Sequence, residues 1–453
     1  MNVKENKMGT MPVNKLLISM ALPMMISMLV QAMYNIVDSM YVSRISEDAL
    51  TAVSLAFPIQ QLMIALGAGM GVGVNAVLSK ALGEKDFEKA NKAAENGIFL
   101  SVISFVVFFF VGLFAVDPFY MSQTTDPEIL QAGHDYLTVI CCASIGMYMQ
   151  FIFERLMQST GRTVYSMITQ TLGAVINIVL DPILIFGMFG MPEMGVRGAA
   201  VATVIGQIIG AFAGYILNIT KNHDIRISFK GFRPDLGMIK VIYVVGVPSI
   251  IMQAVGSVMN YAMNQILIGF TSTATAVFGA YYKLQSFIFM PVFGLTNGMI
   301  PIIAFNYGAG NRSRVVKTIK SSAILAVCIM ATGLMVMQIF PTQLLSIFNA
   351  SEHMLSIGVV ALRLISLSFV FAGYCIIMGS VFQALGNGVY SMIISIVRQM
   401  VVLLPVAYLF SLTGNLDMVW MAFPIAELFS LTLSTVFLIK INKKIISKIG
   451  TES

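Results

Sequence analysis

The chain reads as an all-α integral membrane protein. Its twelve transmembrane helices are expected to form two six-helix bundles related by a pseudo-twofold axis along the membrane normal. Three observations lead there. The residues are 57% hydrophobic and only 11% charged, whereas a soluble domain carries about 25% charge. Twelve apolar stretches are long enough to cross a bilayer, which takes about 20 residues each. The chain also matches itself without a gap at an offset of 225 residues, placing Pro23 on Pro248, Asn35 on Asn260, Gly73 on Gly298 and Gly83 on Gly308. The densest match sets Gln158, Gly161 and Val164–Ile168 against Gln383, Gly386 and Val389–Ile393. That period is far longer than a solenoid unit, so it marks a duplicated domain.

The elements follow in order. After a short polar start (Lys4, Glu5, Lys7, Lys15), the apolar run to Tyr41 is too long for a signal-peptide core and is expected to stay as the first membrane helix. Spans are expected near 16–41, 48–77, 97–118, 129–158, 164–188 and 197–219. The second copy repeats them near 239–270, 273–303, 318–342, 353–383, 389–413 and 418–441. Residues 1–220 then make an N-terminal lobe carrying the cation site, 221–238 a cytoplasmic linker, and 239–453 a C-terminal lobe.

Basic residues cluster on one side, in the loops around Lys80–Lys92, Arg162, Lys221–Lys240 and Arg312–Lys320 and in both tails. The opposite loops hold Arg44 and Arg197 among acids such as Glu47, Asp117 and Glu193. The positive-inside rule therefore predicts that both termini are cytoplasmic. It also accounts for the net charge of +6, which gives no reason to expect nucleic acid. Because six is even, both copies enter the membrane in the same sense, which makes a parallel repeat with a cleft between the halves for a translocated substrate.

Enzyme chemistry finds no support. The four cysteines lie in apolar runs without CxxC, and the three histidines lack metal-ligand spacing. Gly67, Gly69, Gly71 and Gly73 lack the Lys-Ser/Thr of a phosphate loop and predict close helix packing instead. Pro23 removes a backbone hydrogen bond from the first span and permits it to bend, as Pro248 does in the seventh.

Ionisable groups inside membrane helices cost about 2.5–3.5 kcal/mol each on insertion scales, so each one asks for a reason. The first copy holds Asp38, Glu154, Arg155 and Asp181; the second holds Lys283, Arg363, Arg398 and Glu427. At 1.5 Å per residue, Asp38 lies about 33 Å and Asp181 about 26 Å along their helices from the cytoplasm, and Thr203 about 9 Å below the outer end of the sixth. The three can share one layer. Asn177 stands one turn before Asp181, and Tyr34 and Asn35 stand likewise to Asp38.

Two carboxylates in a low-dielectric site do not both ionise easily. The cluster can therefore hold a proton, or ligate Na⁺ through Asp38, Asn177 and Asp181. The structural alternative is that Asp38 caps or snorkels near the outer surface and Asp181 caps a break before Pro182. Glu154 either joins the ion chemistry or pairs with Arg155. Lys283, Arg363, Arg398 and Glu427 read as a buried charge network, with a cleft-facing Glu427 as the functional alternative. Asp38, Glu154 and Asp181 meet Met263, Gly379 and Val406 in the other copy, which assigns the ion chemistry to the first.

These residues resemble the multidrug and toxic compound extrusion (MATE) transporters over nearly the whole length, most closely their DinF/MepA-like bacterial branch. The likeness rests on Leu22-Pro23, on Gly83 and its charged loop, and on Asn177 through Asp181-Pro182 to Gly187. Gly198 through Thr203 and Pro424 through Glu427 complete it. The resemblance implies a V-shaped monomer in a bacterial or archaeal cytoplasmic membrane, exporting amphipathic, often cationic compounds in exchange for H⁺ or Na⁺, with H⁺ the favoured ion, and needing no cofactor. It implies cation coupling by Asp38, Asn177, Asp181 and Thr203, with Glu154 matching an acid used in some relatives, and bending at Pro23. The cleft candidates are Tyr34, Asn35, Gln253, Asn260, Lys283, Arg398 and Glu427. A flippase for lipids or lipid-linked oligosaccharides, of the wider superfamily, is the competing expectation.

Overall fold

The structure, a computed structural model, describes residues 5–228, 230–348 and 350–450; Lys4 of the basic N-terminal tail lies outside them. Among these residues there is no strand. The first copy forms α1 (Val13–Ser43), α2 (Glu47–Gly83), α3 (Phe87–Phe114), α4 (Pro127–Cys142), α5 (Ile145–Ser159), α6 (Thr163–Phe186) and α7 (Gly195–Lys221). The second forms α8 (Leu236–Ile268), α9 (Ser272–Gly308), α10 (Arg312–Ile339), α11 (Glu352–Ser366) and α12 (Phe369–Ala384). It closes with α13 (Gly388–Ile396), a π segment (Val397–Leu403), α14 (Leu404–Ser411) and α15 (Ala422–Lys444).

Among the described residues, ten helices are long and apolar enough to span a membrane, and two bent pairs bring the number to twelve when each pair is one span. Those pairs differ from the continuous fourth and tenth helices expected from sequence. α4 and α5 meet at 44°, α11 and α12 at 48°. The breaks fall at Ala143-Ser144 and Leu367-Ser368, matching places in the two copies, with neither Gly nor Pro to announce them. At the first, Ala143 leaves helical geometry (φ −108°, ψ 16°). The expected eleventh helix likewise contains the π segment, whose counterpart in the first copy is regular helix within α6.

Local chemistry explains why the helix starts repeat. An orphan backbone N–H at a helix start takes a side-chain oxygen from the N-cap residue. Ser46 and Thr271 accept from Ala49 and Ala274 at the starts of α2 and α9. Asp86 and Asn311 do the same for α3 and α10, and Asp126 and Ser351 for α4 and α11. The cap residue changes between copies while the acceptor stays. Gly161 and Gly386 have φ of 85° and 77°, a left-handed turn that admits glycine at no steric cost.

The chain divides into two compact units, Met1–Met25 with Val247–Ser453, and Ile26–Gly246, within the described residues. Both boundaries fall inside helices, at Met25/Ile26 of α1 and Gly246/Val247 of α8. In the first unit, Gly294 and Gly298 of α9 let the leading end of α1 approach closely; a Cβ on Gly298 would lie 2.7 Å from the Ala21 Cα. In the second, a Cβ on Gly73 of α2 would lie 2.2 Å from the Ile242 carbonyl oxygen of α8. The expected role of these glycines in close packing is thus the one they play. Large apolar side chains such as Ile18, Phe57, Phe110 and Phe114 stay uncovered, as a lipid-facing surface requires.

Candidate functional site

The second unit gathers its polar groups where α1, α2, α4, α6 and α7 converge. Asp181 of α6 is fully buried. One turn before it, Asn177 orients its amide so that the nitrogen donates to Asp181 Oδ2 at 3.2 Å. Its carbonyl accepts from the Thr203 backbone N–H and hydroxyl, both at 3.0 Å. The close approach of α6 and α7 that permits this runs through Gly206, where a Cβ would meet the Gly173 carbonyl at 2.6 Å. Asp38 of α1 is half-buried and its Oδ1 is enclosed without a hydrogen-bond partner. Charge interaction couples Asp38 with Asp181, and Tyr34 with both carboxylates. No ion pair links either carboxylate to a basic side chain among the described residues.

Two residues join this cluster that sequence reasoning passed over. Tyr136 of α4 is buried, interacts electrostatically with Asp38, and accepts a 2.9 Å hydrogen bond from Gln60 of α2. A glutamine in mid-span was the available signal. Below them Gln170 donates to Gln31, while Ser27 donates to Gln170. Glu154 is buried and accepts from Gln150 at 3.0 Å and Thr169 at 3.4 Å, whereas Arg155 donates to Gln158 at 2.8 Å.

The charged residues of the second copy do not form the single network expected. Arg398 reaches Glu427 at 3.4 Å. Lys283 is exposed, with its ammonium 6.0 Å from the Phe348 ring centre. Arg363 is exposed as well, and its backbone carbonyl accepts from Gln338. The spacing of these groups along their helices gave depth but not direction, so four charges at one level did not become four neighbours. Asn35 and Gln253 are exposed and Asn260 is half-buried.

A repeated all-helical membrane fold of this kind has known counterparts. The MatE family model matches residues 23–183 and 248–409, one copy each. The chain belongs to the MatE family. It is therefore a multi-pass membrane transporter of the MATE type. It is similar to the multidrug export protein MepA of Staphylococcus haemolyticus, at 26% identity over 90% of this chain and 89% of that one. It is also similar to an FAD transporter of Shewanella oneidensis, at 24% identity over 92% of each. A solved structure described as the outward-facing conformation of a multidrug resistance MATE transporter of the MOP superfamily superposes with a TM-score of 0.92. That match has 25% identity and covers 99% of this chain and all of the other.

Proposed function

We propose that this MATE transporter is a proton-coupled antiporter that exports amphipathic, often cationic compounds from the cytoplasm, with both termini on the cytoplasmic side. The observation that carries this reading is the Asp38–Asp181 cluster, a half-buried and a fully buried carboxylate that interact and have no basic partner among the described residues. An uncompensated buried charge costs several kcal/mol. A proton or a cation removes that cost, and differential loading then biases the conformational equilibrium through which export occurs. Asn177 adds to the cluster an amide whose nitrogen faces Asp181 and whose oxygen faces Thr203.

The helix that carries Asp38 also carries Pro23. Protonation of the cluster would bend α1 there and release the exported compound outward. Kinship with MepA supports drug-like cargo. The flippase reading would need basic groups gathered to meet phosphates; Arg398 contacts Glu427, and the exposed Lys283 and Arg363 do not join it in one network.

Dye efflux from proteoliposomes with independently imposed pH and Na⁺ gradients tests the proposal. We expect the pH gradient alone to drive efflux. Asp181→Asn should slow it at least about tenfold, a loss of roughly 1.4 kcal/mol in coupling. Asp38→Asn should do similar damage and Glu154→Gln less. An Asp181→Asn protein that effluxes at the wild-type rate, with amounts matched, would refute the coupling role.

A further inference from the structure

The two copies charge the same helix start differently. Around the start of α3 the first copy sets Lys80, Lys85, Lys89 and Lys92 among Glu84, Asp86, Glu88 and Glu95. Lys80 and Lys89 pair with Glu84 at 3.6 and 3.2 Å, and Lys92 pairs with Glu88 at 2.9 Å. At the offset of 225 residues those four acids become Ala309, Asn311, Ser313 and Lys320. The second copy has four basic residues there, Arg312, Arg314, Lys317 and Lys320, and no acid from 305 to 320. Membrane orientation follows the number of Lys and Arg and gives acids little weight. Since that number is the same in both copies, orientation does not account for the loss of the acids.

Arg314 serves the fold. It is half-buried, and its guanidinium donates to the Asn306 side chain and to the carbonyls of Met8 and Met11. The other three turn outward. Arg312, Lys317 and Lys320 are exposed, and none of them makes an ion pair among the described residues. Helical spacing sets them within about 140° of arc on one face of α10. With Ser313 and Val316 they line an open groove of about 620 Å³. Further along that face the exposed side chains are Ile324 and Met335, on a helix long and apolar enough to span a membrane. The face is therefore cationic at its leading end and apolar beyond. The tail adds positive charge at this end of the unit. Lys443 and Lys444 close α15, and the chain after them packs on the start of α10, where a Cβ on Gly450 would lie 2.8 Å from the Gly310 carbonyl oxygen.

We propose that this face of α10 binds an anionic phospholipid, with the headgroup phosphate among Arg312, Lys317 and Lys320 and the acyl chains along Ile324 and Met335. Basic clusters at the end of a membrane helix draw anionic lipid by charge, at about fivefold in affinity for each Lys or Arg near the surface. The arginine fork suits phosphate oxygens, and each lysine adds a point charge. A free phosphate would meet the same charges, but only a lipid has chains to cover the apolar stretch beyond them. The first copy cannot offer the same site, because Lys80, Lys89 and Lys92 already hold acids. The site depends neither on the coupling ion and cargo proposed for this transporter nor on which way its termini face.

Full-length protein in a neutral detergent, titrated with phospholipid and read by native mass spectrometry, tests the site through the affinity of the first lipid bound. Wild type should take phosphatidylglycerol at least about tenfold more tightly than phosphatidylcholine. The Arg312→Gln/Lys317→Gln/Lys320→Gln variant should lose at least about tenfold in affinity for phosphatidylglycerol. Lys85→Gln/Lys89→Gln/Lys92→Gln removes as much charge from the first copy and should lose less than about twofold. Ser313→Glu keeps every basic residue and gives Lys317 the acid one turn before it that Glu88 gives Lys92. It should weaken binding about fivefold, and it decides the matter if the triple variant does not fold. Millimolar inorganic phosphate should leave the lipid bound. Equal affinity for the two lipids overturns the inference. So does an unchanged affinity in the Arg312/Lys317/Lys320 variant or in Ser313→Glu, an equal loss in the two triple variants, or displacement of the lipid by phosphate, which would mark a site for free anions.

Discussion

Asn177 holds its neighbours at both ends, donating to Asp181 and accepting from Thr203 on another helix. Its replacement by alanine takes this partner from a buried Asp181 carboxylate oxygen and from the buried Thr203 hydroxyl, at about 1–3 kcal/mol for each orphaned group. Asn177→Ala should therefore lower the melting temperature of purified protein and impair proton-driven efflux together. Thr203→Val, which keeps the backbone N–H bond, should be milder; equal effects would show that the Asn177–Thr203 contact matters only through the hydroxyl. Much of this cluster was legible because α-helical spacing sets Asn177 beside Asp181 and because rise per residue puts Asp38, Asp181 and Thr203 at one depth. Tyr136 and Gln60 were not legible. Gln60 stands beside Gln61 and Tyr136 beside Asp135, so neither stands out on its own helix, and only the packing of α2 against α4 brings them together. The pairing of Arg398 with Glu427 was hidden for the same reason, since depth along separate helices does not say which way a side chain turns.

Helices, by contrast, were written plainly in the sequence wherever an apolar run ended at a cap. Ser46 and Thr271 cap helices close to the expected starts at 48 and 273, whereas Asp86 and Asn311 start α3 and α10 at Phe87 and Arg312, before the expected 97 and 318. What escaped were the bends at Ala143-Ser144 and Leu367-Ser368 and the π segment at Val397–Leu403, where apolar composition continues and the hydrogen-bond ladder does not. Glycine packing is the most fragile helix-level feature. Gly73→Ala would place a methyl group 2.2 Å from the Ile242 carbonyl oxygen, against backbone that cannot rotate away. Overpacking of this kind costs about 1–3 kcal/mol. Reduced thermal stability in detergent is expected, whereas Gly279→Ala, with open space around it, should change little.

The whole molecule is built from two copies but not from two separate halves. The unit containing Val247–Ser453 also needs Met1–Met25, and the unit containing Ile26–Gly246 takes the start of α8. A chain cut inside 222–235 should therefore yield fragments that are unstable alone and that restore efflux when co-expressed. A first fragment that is folded and protease-resistant by itself would contradict the exchange. The exchange also sets a schedule for biogenesis. When the ribosome has made Met25, the glycines at 294 and 298 against which that helix end packs are still about 270 residues away. At 5–20 residues per second, that is a wait of roughly 15 to 60 s. Through that interval the leading end of α1 has no Gly294 or Gly298 to pack against, and a helix synthesised early is among the last to be finished.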